Sequence, residues 1–196
     1  MSRLLAAAAA AMAVQRAAGS TCVVAENHAN TYFTIDLQVG TPPQTLRAIP
    51  DTGSFEVLLA SAECSGCDDH ALFQRNSSST FEAKEPSEQV DILYGQGSVV
   101  SEVAYDRVQI GVMGADRQSL LLMVTNGLRD YAETAYDGVV GLGPSDRVRS
   151  QDPDELSLMA NLNASGVSLC FGQFDAEPGR IMFGDASEWE ALEFVT

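Results

Sequence analysis

Lysine is almost missing: Lys84 is the only one, and His28 and His70 are the only histidines. That shortage comes close to excluding mechanisms built on a lysine nucleophile or on several histidine ligands. Basic residues are scarce altogether, with 11 Lys and Arg against 27 Asp and Glu, for a formal charge of −16. An anionic surface of this size repels phosphate backbones and anionic lipid heads, so no nucleic-acid partner and no membrane-surface partner is expected. The same surface loses much of its self-repulsion in acid. Long apolar runs are lacking beyond the N-terminus, so no membrane span is expected apart from a signal peptide. What remains is ordinary globular composition, 45% hydrophobic and 19% charged, and 196 residues can bury one sizeable core.

The N-terminus reads as a secretory signal over residues 1–19. Arg3 supplies the positive start, residues 4–14 are apolar and alanine-rich, and Ala17-Ala18-Gly19 offers small residues for cleavage. Residues 20–31 follow as a short leader, in which His28 is expected to be exposed. A secretory route permits disulfides and glycans. The cysteines are Cys22, Cys64, Cys67 and Cys170, and the acceptor sequons begin at Asn76 and Asn163.

Phe33, Ile35, Leu37 and Val39 alternate with polar residues, the period-two mark of a half-buried strand. Pro42-Pro43 ends it. Residues 45–49 and 56–60 read as strands flanking Asp51-Thr52-Gly53-Ser54. Residues 61–88 read as a long polar loop. Strands are expected over 90–94 and 99–103 around Gly95-Gln96-Gly97, then over 107–110, 119–125 and 139–143. One helix is signalled, with Asp152 as cap, Pro153 in the first turn, Glu155 three after the cap, a stripe of Leu156, Met159, Ala160 and Leu162, and Gly166 as its stop. A final hairpin over 168–172 and 180–183 closes the chain. The result is an all-β class, mainly antiparallel with one or two short helices, in a single unit with no repeat and no linker.

Cys64-Ser65-Gly66-Cys67 followed by His70 fits part of a zinc site, with Asp68 or Asp69 as the candidate fourth ligand, or a small-loop disulfide of an oxidising compartment; the disulfide is favoured. Cys170 is left to pair with Cys22 or with a cysteine outside this chain. No Gly-x-Ser-x-Gly elbow occurs, and Gly141-Leu142-Gly143 lacks the third glycine of a dinucleotide loop.

Several motifs in fixed order resemble one family. They are Tyr32-Phe33 with Val39-Gly40-Thr41-Pro42-Pro43-Gln44, then Asp51-Thr52-Gly53-Ser54, Ser78-Ser79-Thr80-Phe81, Tyr94-Gly95-Gln96-Gly97-Ser98 and Tyr136-Asp137-Gly138-Val139-Val140-Gly141-Leu142-Gly143. Ser168-Leu169-Cys170-Phe171-Gly172 and Gly179-Arg180-Ile181-Met182-Phe183-Gly184-Asp185 complete the match. From about Tyr32 to the end, the chain resembles the amino-terminal lobe of a pepsin-like (A1) aspartic protease. The resemblance implies one lobe of a double-β-barrel fold over residues 32–196, with the carboxy-terminal lobe missing from this chain.

It also implies roles. Asp51 would be one of two catalytic carboxylates. Thr52 would bond across to the partner lobe, Gly53 would permit the turn, and Ser54 would bond the Asp51 carboxylate. Tyr94, Gly95, Gln96 and Gly97 would form a flap over the peptide, and Val139-Val140-Gly141 would pack beside the catalytic loop. Cys64 and Cys67 would be disulfide-bonded. No cofactor and no metal is implied. The substrates would be polypeptides, cut at acidic pH in a secreted, extracellular or vacuolar, lysosome-like setting.

Peptide hydrolysis by paired acids needs one group to activate water and another to protonate the carbonyl oxygen, and two close carboxylates do this by sharing a proton. No second Asp-Thr-Gly or Asp-Ser-Gly is present. The expectation is therefore a truncated endopeptidase whose second Asp lies outside this chain. The alternatives are a symmetric homodimer with one Asp51 per subunit and a non-catalytic peptide-binding lobe.

Overall fold

The computed structural model describes residues 20–143, 157–172, 174 and 177–185. The signal at 1–19, and Asp152, Pro153, Glu155 and Leu156 of the expected helix, lie outside the described residues. Among the described residues eleven strands form one sheet: β1 (Thr21–His28), β2 (Tyr32–Val39), β3 (Gln44–Asp51), β4 (Val57–Ser65), β5 (Glu82–Ala83), β6 (Gln89–Tyr94), β7 (Gly97–Ile110), β8 (Met113–Leu128), β9 (Gly138–Gly141), β10 (Gly166–Cys170) and β11 (Gly179–Gly184). The spatial order is β10-β11-β1-β2-β3-β9-β4-β8-β7-β5, with β6 on β7. A further pairing of β7 with β2, Gln38 opposite Gln109 and Val39 opposite Val108, joins β2, β3, β9, β4, β8 and β7 into a closed barrel. Closure removes the exposed edges of those strands.

Alternation along the strands builds two apolar layers. Leu37, Val39, Leu46, Ala48, Val57, Leu59, Leu120, Leu122 and Val140 belong to one cluster. Their neighbours Leu58, Ala60, Leu121 and Met123 face the other way, into a second cluster with Tyr131 and Tyr136. Adjacent residues of one strand point to opposite faces, so β4 and β8 serve both layers at once.

Several expectations need correction. Residues 20–30 are no leader in the fold: β1 pairs β11 from Thr21 opposite Phe183 to Ala25 opposite Gly179, and pairs β2 at its other end. His28 accordingly is half-buried, stacked on Tyr32 with ring centroids 4.7 Å apart and its Nε2 2.9 Å from Thr34 Oγ1. Residues 61–88 are not all loop, because β4 runs on to Ser65 and Phe73 is fully buried against Ser61. The separate strands at 99–103 and 107–110 are one strand, β7, and 119–125 is the middle of the longer β8.

The described helix is one turn, α1 (Leu158–Asn161), capped by Ser157, whose side chain accepts from the Ala160 amide. The final hairpin stands, with β10 antiparallel to β11. Cys22 and Cys170 are both free. Strand β11 lies between them, which holds their Cα atoms roughly 10 Å or more apart, beyond the ~7 Å limit of a disulfide. Pairing of Cys22 with Cys170 is therefore ruled out by register.

Candidate active site

Strand β3 ends on Asp51 and runs parallel to β9, which ends on Gly141; Asp51 and Gly141 are register partners. Two parallel strands that stop together leave their following loops side by side. The loops are cross-linked: the Leu142 amide donates to the Asp51 carbonyl at 2.7 Å, and the Gly143 amide to the Ser54 carbonyl at 2.8 Å. The expected packing of Val139-Val140-Gly141 beside the Asp51 loop is present in this form.

The turn presents its carboxylate in one orientation. The Gly53 amide donates to Asp51 Oδ1 at 2.9 Å, and the Ser54 hydroxyl donates to Oδ2 at 2.7 Å. Each oxygen thus accepts one bond and keeps a lone pair for something else. Asp51 is partly exposed, while Thr52 and Gly53 are exposed.

Gly141 is required by space. A Cβ there would come 2.5 Å from the backbone N, Cα and C of Phe55, which cannot rotate out of the way. Replacement by alanine should cost about 2–3 kcal/mol through overpacking, and should displace the 52–56 loop that orients Asp51. Urea unfolding of Gly141→Ala checks the first part; an unchanged midpoint would refute it.

Tyr94 ends β6, Gly95 and Gln96 make the exposed tip, and Gly97 opens β7. Gly97 has φ +146° and sits against the Gly127 carbonyl, where a side chain has no room. The tip is tied down by the Arg129 amide, which donates to Gln96 O at 3.0 Å. Tyr94 is half-buried on the second cluster, together with Ile49, Val139 and Tyr136. Its phenol is pushed up from the ordinary tyrosine value by burial first, and then by the charges of Glu56 and Asp51 and by Tyr136.

Sequence reasoning left Asp137 without a role. Its side chain is 1% exposed and joins three elements. Oδ2 accepts from the Arg47 amide at 2.8 Å, Oδ1 accepts from the Ala71 amide at 3.0 Å, and His70 Nδ1 lies 3.6 Å from Oδ1. His70 also stacks on Tyr131, with centroids 3.9 Å apart, and its Nε2 faces the Tyr131 carbonyl at 3.0 Å. The histidine is therefore no zinc ligand, and the neighbouring Cys64 and Cys67 are bonded to each other. A usable signal was Asp137 itself, an acid set just before the apolar run Val139-Val140.

Tyr131 carries a buried hydroxyl with no hydrogen-bond partner among the described residues. Its phenol is pushed up by burial and by Asp137, and that of Tyr136 is pushed up mainly by burial. The folded chain holds these protons, and that of Tyr94, more tightly than the unfolded chain. Stability is therefore complete below the unfolded tyrosine pKa and is lost as pH rises past about 10. Tyr131→Phe removes the unpaired hydroxyl, so it should leave stability unchanged or raise it by up to about 1 kcal/mol, with a shallower alkaline loss. Melting curves of the two proteins at neutral and alkaline pH test both signs.

Asn76 and Asn163 are both exposed. The remaining free thiols are Cys22, half-buried, and Cys170, exposed.

The sequence model of the family described as "Eukaryotic aspartyl protease" matches residues 31–190. The chain is 32% identical to "Plasmepsin VI" of Plasmodium berghei over 85% of its own length and 41% of that protein's. It is 36% identical to "Pepsin A" of Sus scrofa over 60% of its own length and 30% of the relative's, and 32% identical to "Vacuolar protease A" of Arthroderma otae over 62% and 31%. It thus spans less than half the length of these relatives. With one β-rich lobe, an Asp-Thr-Gly-Ser turn at the end of a barrel strand and a family match over most of its residues, the chain belongs to the eukaryotic aspartyl proteases.

Proposed function

We propose that the chain is the Asp51-bearing lobe of an aspartic endopeptidase that works in acid. A second carboxylate is supplied by a carboxy-terminal lobe or by a second copy. One carboxylate takes a proton from water as the oxygen attacks the peptide carbonyl; the other, protonated, gives its proton to the carbonyl oxygen. The tetrahedral diol then collapses as the amine leaves with a proton. Thr52 is the contact to the partner lobe, and Tyr94 with Gly95, Gln96 and Gly97 is the flap that covers the peptide and limits water.

The observation that carries this reading is the state of Asp51. Both of its oxygens are fixed by the Gly53 amide and the Ser54 hydroxyl, in a turn whose Thr52 and Gly53 are exposed. A secretory or vacuolar setting is supported by the Cys64–Cys67 bond, by the exposed sequons at Asn76 and Asn163, which would carry glycans, and by the name of the vacuolar relative. The unpaired Cys170 stays available to a cysteine of the partner lobe.

The test is acid hydrolysis of a denatured protein by the purified chain, alone and mixed with a separately produced carboxy-terminal lobe of a relative. Cleavage only in the mixture, abolished by Asp51→Asn, supports the two-lobe reading. Cleavage by a dimer of the chain alone assigns the second carboxylate to another Asp51. Peptide binding without cleavage in either preparation overturns the enzyme reading.

A further inference from the structure

The edge of a sheet carries a row of unpaired backbone donors and acceptors, and folded proteins protect it with a short strand, a charge, a proline or a bulge. Among the described residues, one end of the sheet is protected in this way: β5 is two residues long, and β6 carries Asp91. The other end is β10, paired with β11 on one side and with no described residue on the other. None of these protections is found along it. Residues 166–172, Gly-Val-Ser-Leu-Cys-Phe-Gly, hold no charge and no proline, and the register with β11 runs without a bulge. Leu169, Cys170 and Phe171 are exposed, Phe171 by 53%.

This strip is complementary to itself. Val167 and Leu169 lie opposite Phe183 and Ile181, both members of the main core cluster, so their side chains share the inner face, and Phe171 continues the row. Ser168 and Cys170 fall on the outer face. Set antiparallel to a second copy with Leu169 opposite Leu169, the strip places Phe171 against Val167 of that copy and Cys170 against Ser168. Apolar side chains then meet apolar ones inside, and small polar ones meet outside. The arrangement closes about a two-fold axis. Electrostatics favour the same place. A chain of net charge −16 repels its own copies over most of its surface, whereas the only charged side chain in β10 and β11 is the cationic Arg180.

We propose that β10 is a docking edge for a second copy of this chain, the two β10 strands pairing antiparallel about Leu169 into one continuous sheet. The inference goes beyond the protease reading and stands without it.

The experiment follows the mass of the full chain by analytical ultracentrifugation over a range of concentrations, with enough salt to screen its charge. The original protein should pass from 20.9 kDa to twice that mass as concentration rises. Leu169→Lys sets two like charges against each other on the axis and should raise the concentration of half-dimerisation at least about tenfold. Val112→Lys, at an exposed valine in the turn between β7 and β8, should not. Ser168→Cys tests the register in a chain whose edge is intact. Oxidised glutathione takes two electrons and two protons from a pair of thiols and leaves as two thiols, so it should link position 168 of one copy to Cys170 of the other. That link should form faster than any in the original protein. A chain that stays monomeric overturns the proposal, whether the edge is taken by residues of the same chain or by a separate lobe. So does a dimer that Leu169→Lys leaves intact or that Ser168→Cys fails to link. A monomer that cleaves protein once mixed with a carboxy-terminal lobe would keep the protease reading and remove this one, and a dimer of the expected register without cleavage would leave this one standing.

Discussion

Asparagine at position 51 should silence hydrolysis by the assembled enzyme while leaving the lobe folded. Asn keeps an oxygen for the Gly53 amide, which now bonds Asp51 Oδ1 at 2.9 Å. Its amide nitrogen takes the place of Oδ2, and the Ser54 hydroxyl, now 2.7 Å from Oδ2 as a donor, can rotate to accept from it. The turn therefore survives, and unfolding free energy should change by no more than about 1 kcal/mol. What disappears is a group that can take or give a proton. General acid–base groups contribute about 10²–10⁴ in rate, so kcat/KM at acid pH should drop at least about a hundredfold. An Asp51→Asn enzyme that cleaves normally would remove Asp51 from the mechanism. A large loss of stability would mean that its role is structural.

The site was legible where chemistry and chain order coincide. Asp51, Thr52, Gly53 and Ser54 are contiguous, and β2 announces itself because Ile35, Leu37 and Val39 are buried while Asp36 and Gln38 are exposed. The misreadings have physical causes. Strand β1 looked like a leader because its partner β11 lies at the far end of the sequence, and no local pattern carries that pairing. Strand β7 looked broken because Ser101 and Asp106 are polar yet buried at 0% and 1%, which hides the alternation. Residues 61–88 are rich in polar and turn-forming types, so Phe73 gave no periodic signal although it is one of the largest fully buried side chains.

The Asp51 loop depends on a support one strand away, and the second large effect is expected there. Asp137 accepts the Arg47 and Ala71 amides through its side chain, while its own amide donates to the Arg47 carbonyl at 2.7 Å and its carbonyl accepts from the Ala60 amide at 2.8 Å. It therefore clamps the start of β9 between β3 and β4, four residues before Gly141 and in the strand that sets Asp51. Asp137→Ala would leave the Arg47 and Ala71 amides without their acceptor and His70 without its acidic neighbour, which lies 3.6 Å away. Losing one member of a buried, hydrogen-bonded charged group costs about 3–5 kcal/mol, because the stranded partners stay desolvated. Asp137→Asn retains one acceptor oxygen and should fall between that variant and the original protein. Asp36→Ala, an exposed position on β2, should stay within about 0.5 kcal/mol. Urea unfolding followed by circular dichroism ranks the three. If Asp137→Ala unfolds with the Asp36→Ala control, the clamp contributes nothing, and β9 must be held in place by its strand pairing alone.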